Sequence, residues 1–85
     1  VLQDGFGTAV SRDGRWIYFR SLRSGEWQIW RAEYGNPKRV ERMTTAGGYA
    51  AMESVDGRLL YFARRHEREG LWEQELPRGD ARRVV

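Results

Sequence analysis

Two aspartates, Asp13 and Asp56, and two glutamates, Glu73 and Glu75, are the first residues in this chain of 85 that could do acid–base chemistry. A carboxylate pair works that way when proximity pushes the two pKa values apart, leaving one acid and one base at neutral pH. Asp13 and Asp56, however, each sit before a glycine in a short Ser-x-Asp-Gly-Arg segment. There an aspartate side chain bonds the turn backbone, so a turn role is the stronger expectation. Glu73 and Glu75 lie two apart and share a face of an extended strand, as solvated edge carboxylates do. A nucleophile needs a positioned base. The one histidine, His66, lies in an Arg-Arg-His-Glu-Arg stretch without a neighbouring serine or a nucleophile elbow.

Other chemistries fare no better. With a single histidine and no cysteine there is neither a zinc ligand set nor a disulfide. Gly5-Phe6-Gly7 and Gly47-Gly48 lack the Gly-Lys-Ser/Thr of a phosphate loop and a helix behind it. Aromatic residues make up 13% of the chain and mix with arginine, as in Trp30-Arg31. Such platforms can stack single-stranded nucleic acid. Fifteen basic residues against 12 acidic ones leave a net charge of only +3, which disfavours a polyanion partner. The expectation is a chain with no catalytic, cofactor-binding or metal-binding residue, which is not an enzyme and takes no cofactor. If a binding site exists, Thr8, Met52, Arg65 and His66 are the loop and inner-strand positions offered for it.

The elements that position these residues come in two copies. Ser11-Arg12-Asp13-Gly14-Arg15-Trp16-Ile17-Tyr18-Phe19 matches Ser54-Val55-Asp56-Gly57-Arg58-Leu59-Leu60-Tyr61-Phe62 at six of nine positions, 43 residues apart. The match reaches back to Gly5/Gly48 and Phe6/Tyr49, and forward to Ile29-Trp30 against Leu71-Trp72 at a spacing of 42. Self-similarity at this period signals a repeat architecture. Each unit reads as four strands: 6–11, 16–20, 27–32 and 39–43, then 49–54, 59–64, 71–76 and 81–85. The second strands are apolar at successive positions, which predicts cover on both faces. The fourth are charged, as outer edges are. Asp13-Gly14 and Asp56-Gly57 predict tight reversals, and Arg23-Ser24-Gly25, Tyr34-Gly35-Asn36-Pro37 and Pro77-Arg78-Gly79-Asp80 the remaining turns. Four strands per unit of about 42 residues is the blade period of a β-propeller.

The segments 11–19 and 54–62, with Gln28-Ile29-Trp30, Gly70-Leu71-Trp72 and Met43-Thr44, resemble the TolB-like, WD-repeat-like propeller family. Its blades read Ser-Pro-Asp-Gly-Lys/Arg-x-Ile/Leu-x-Phe, then Gln-Ile-Trp, then Leu-Thr. Arg12 and Val55 replace the turn proline, and blade 2 lacks the glutamine before its Leu-Trp pair. The resemblance covers essentially the whole chain and implies an all-β fold of two four-stranded antiparallel blades, at 1–43 and 44–85, with a general role in binding. Related repeats stand beside regulatory domains or in front of hydrolase domains, so a regulatory or sensor protein, or the gating propeller of a hydrolase, is the alternative context.

Two blades leave two faces uncovered, because each blade buries one face on each neighbour. Trp16, Phe19, Trp30, Phe62 and Trp72 are expected to pack between blades. Burial is worth about 25 cal/mol per Å², so the open faces favour association. In sequence register Val85 takes the place of Met43, and the units fill the chain. The sequence therefore predicts head-to-tail closure with itself, three copies favoured over four, giving six or eight blades. Other proteins are a second class of partner. With no apolar run long enough to span a bilayer and no signal-peptide pattern, a soluble chain is expected, its compartment undetermined.

Overall fold

The computed structural model describes residues 5–64 and 70–84, with backbone alone at 5–8 and 37. Eight strands follow one another: β1 (Gly5–Val10), β2 (Trp16–Ser21), β3 (Gln28–Glu33), β4 (Asn36–Arg42), β5 (Ala50–Glu53), β6 (Leu59–Ala63), β7 (Leu71–Glu75) and β8 (Arg82–Arg83). They form two antiparallel sheets, ordered β1-β2-β3-β4 and β5-β6-β7-β8, each drawn from consecutive strands. Among the described residues there is no helix.

The turns explain why the first two strands of each blade form where they do. The Ser11 amide donates to the Trp16 carbonyl at 2.8 Å, and Ser54 to Leu59 at 2.8 Å. The Ser11 hydroxyl donates to Asp13 at 2.7 Å while accepting from the Trp16 amide at 2.8 Å. Ser54 repeats this with Asp56 at 2.7 Å and Leu59 at 3.1 Å. Gly14 and Gly57 close the reversals at φ of 76° and 74°, a conformation that costs a side chain about 1 kcal/mol or more.

Alternation then assigns the faces. Trp16 and Tyr18 of β2 and Ile29 of β3 pack with Ala51 of β5 and Leu60 and Phe62 of β6, with Met43 completing the cluster. This apolar layer is the contact between the blades, and Trp72, Leu76 and Ala81 lie against it. Phe19 and Trp30 are outside it: they pair across β2 and β3 on the opposite face of blade 1.

The outer strands depart from the sequence expectation. The β3–β4 reversal needs only Tyr34-Gly35, so Asn36 and Pro37 belong to β4, which has seven residues. Blade 2 instead turns over residues 76–81, leaving β8 only two residues long. Because that return path is shorter by one residue, Val84, not Val85, makes Met43's bond. The Met43 amide reaches the Ile29 carbonyl at 2.7 Å, and the Val84 amide the Leu71 carbonyl at 2.7 Å.

Candidate functional site at the blade junction

The apolar layer between the blades carries a polar rim. Glu53 ends β5 on the face that meets blade 1 and is 7% exposed. Its carboxylate accepts from the Tyr18 hydroxyl at 2.6 Å and from the Arg12 amide at 2.8 Å. The Arg12 guanidinium crosses the junction as well, donating to the carbonyls of Ser54 at 3.1 Å and Glu53 at 3.2 Å. A buried carboxylate is tolerable only when its lone pairs are met in this way. Burial first, and the bond to Glu53 second, raise the Tyr18 pKa far above the ordinary tyrosine range, so its proton stays in place. Beside it Arg31 pairs with Glu41 at 3.0 Å and lies over the Trp16 ring, 3.9 Å from its centroid.

A second knot fastens the connection leaving blade 1. The Thr44 hydroxyl donates to the Gln28 side chain at 2.6 Å and accepts from the Ile29 amide at 3.0 Å. The Gly47 amide reaches the same Gln28 oxygen at 3.0 Å. Gly48 follows in close contact: a Cβ there would lie 2.6 Å from Ile29 Cγ1 and 2.7 Å from the Ile29 nitrogen. From blade 2, Gln74 donates to the Met43 carbonyl at 2.6 Å.

The residues singled out for chemistry are placed as follows. Asp13 and Asp56 line one groove of about 310 Å³ at the edge of the junction, with Arg12, Arg31 and Glu53. Each is held by its own turn, however. Bonds from Ser11 and the Arg15 amide lower the Asp13 pKa, and bonds from Ser54 and the Arg58 amide lower that of Asp56. Both are thus ionised at neutral pH and have no proton to give, which leaves the pair without a general acid. Glu73 is ion-paired with Arg82 across β7 and β8, and Glu75 is exposed. Met52 is exposed on the far side of β5 from the junction, pairing with Tyr61. The Thr8 side chain, Arg65 and His66 lie outside the described residues. Among the described residues no group of three or more acidic or histidine side chains could hold a metal.

Of the aromatic residues expected between blades, Trp16 and Phe62 are in the junction and Trp72 borders it. Phe19 is fully buried on the other face of blade 1, where Arg23 stacks over both Phe19 and Trp30. Sequence reasoning missed Glu53, Arg12, Gln28 and Thr44. A lone carboxylate closing the otherwise apolar Ala50-Ala51-Met52 strand was the available signal for Glu53.

Four-stranded sheets of consecutive strands, stacked face to face and repeating turn for turn, are β-propeller blades. The comparisons agree. No protein-family model matches the sequence. A solved protein of Agrobacterium tumefaciens described as TolB superposes with a TM-score of 0.77 and 31% identity over 92% of this chain. TolB from Acinetobacter baumannii gives 0.75 and 26% over 93%. A stretch of 38 residues is 53% identical to an uncharacterized protein of Agrobacterium fabrum. The two blades are TolB-like propeller repeats. The chain spans 32% and 20% of the length of the two solved relatives and 13% of the third.

Proposed function

We propose that this blade pair is a non-enzymatic propeller building block that associates head to tail and serves as a scaffold for protein interaction. One observation carries the reading: the blades meet through an apolar layer with a polar rim, and each blade exposes on its outward side apolar residues whose repeat counterparts lie at that junction. On blade 2 these include Met52, Val55 and Leu71, and on blade 1 Val10, all exposed. Such surface is the kind that other blades cover.

Absolute mass by size-exclusion chromatography with light scattering tests the reading. A single species at three or four times the 10.0 kDa chain mass is expected. A stable species at one chain mass overturns self-association. The chain's coverage of only a third or less of its relatives favours a second reading, in which these blades complete a longer propeller of a regulatory protein or hydrolase. That reading predicts polydisperse association by the isolated blades and a discrete mass once further blades are supplied.

A further inference from the structure

We propose that chains join through an apolar counterpart of the internal junction, with Val55 of one copy seated on Val10 of the next. The inference rests on the head-to-tail reading above and names the contact that performs it. Backbone pairing fixes the correspondence: Val10 pairs with Ile17 as Glu53 pairs with Leu60. Val55 occupies the turn position of Arg12, since each follows the serine of a matching Ser-x-Asp-Gly turn. Within the chain these two positions form the polar contact, Arg12 against Glu53 and the carbonyls beside it. On the open faces both have become valine, exposed by 59% at Val10 and 89% at Val55. Both members of the pair differ from their counterparts, and they stand on opposite outer sides of the blade pair. A second copy brings them into contact by repeating the step that relates blade 1 to blade 2.

Charge agrees with this occupant. At the internal junction Arg31 lies beside Tyr18 and the carboxylate that Tyr18 holds. The open face of blade 2 carries Glu73 at Arg31's place, tied to Arg82. A carboxylate arriving at Val10's position would confront Glu73, whereas valine does not. The surrounding contacts keep their apolar character, with Leu71 in Ile29's place and Ile17 in Leu60's. A repeated heterologous contact of this kind closes into a ring or grows as an open chain, depending on the rotation per copy.

The test uses Val10→Glu and Val55→Glu, each at an exposed position, with circular dichroism to verify that both keep the wild-type strand signal. Val10→Glu sets a carboxylate against Glu73 of the neighbour. Val55→Glu sets one against the Ser11 and Val10 carbonyls of the neighbour, the counterparts of those that Arg12 satisfies at the internal junction. Light scattering is expected to show a three- or four-fold fall in mass for each variant alone. Mixed in equal amounts, they regain one intact contact, Val55 of the first on Val10 of the second, and stop at a two-chain species. Val55→Arg restores a guanidinium that can bond two carbonyls as Arg12 does at the internal junction, and is expected to keep the wild-type mass. Variants that retain the assembled mass, a mixture that stays as single chains, or loss of assembly in Val55→Arg overturns the contact while leaving self-association standing. A wild-type chain that is itself monomeric overturns the head-to-tail reading.

Discussion

Blade 1 and blade 2 share a backbone plan and differ in what their faces offer. The Ser-x-Asp-Gly turns share their serine–aspartate and aspartate–amide bonds at nearly the same distances. Across the faces the residues diverge: Arg12 becomes Val55, Glu53 answers Val10, and Arg31 with Glu41 becomes Glu73 with Arg82. The difference teaches that turn chemistry and strand pairing make a blade, while a few side chains on its faces decide which neighbour it meets. Geometry and address are written at separate positions.

The largest effect is expected from breaking the apolar layer that both blades share. Phe62→Ala removes a ring that is almost fully buried in the junction and should cost about 3–5 kcal/mol, most of the stability of a small domain. Denaturant titration at fixed protein concentration measures it, and a loss below about 1 kcal/mol would show that the blades stand independently. Gly48→Ala forces a methyl group into the Ile29 backbone and should cost about 1–3 kcal/mol by overpacking. The effect should be read in the same titration.

Importing one blade's address into the other sharpens the comparison. Glu53→Val places blade 1's residue on blade 2 and takes away the carboxylate that accepts from the Tyr18 hydroxyl and the Arg12 amide, at an expected cost of about 1–3 kcal/mol. Adding Tyr18→Phe should recover most of that loss, because an apolar pair needs no partner. Failure of the second substitution to compensate would mean that Glu53 acts mainly through Arg12.

Acid and base titrations probe the rim and the turns. Tyr18 titrates higher in the fold than the ordinary value of about 10, so its contribution is complete below pH 10 and is lost as pH rises beyond it. Thermal melts should fall above pH 10 for the wild type and less so for Tyr18→Phe. The smallest effect concerns Asp13 and Asp56, whose pKa values are lowered in the fold. Their contribution is present above the ordinary value of about 3.9 and disappears as pH drops through the lowered values. Asp13→Asn with Asp56→Asn should flatten the acid limb of the melting curve, and an unchanged limb would assign acid sensitivity elsewhere.

Much of the fold was legible because its determinants are local and stated twice. The bonds that close the Ser11–Trp16 turn on itself join residues at most five apart, and a second copy of the pattern reinforces it. The edge strands were harder. Charged, half-solvated segments such as Asn36–Arg42 have little periodicity, so β4 was expected too short and β8 too long. The pairing at the junction rim was not legible, although Glu53 itself left a signal at the end of an apolar strand. Arg12 and Glu53 are 41 residues apart, and Tyr18 and Glu53 are 35 apart, so only the stacking of one sheet on another brings them together. Gln28 and Thr44 stood within recognised motifs, yet nothing in the spelling of either names the other as its partner.

The drawing of each sheet from consecutive strands has a genetic consequence. An in-frame duplication of one unit delivers a whole blade with both of its faces, and no neighbour has to lend a strand to complete it. Gene length and blade number can therefore change together in single steps. The copies begin with interchangeable faces, and point mutation at positions such as 10, 12, 53 and 55 is enough to give each its own place in the order.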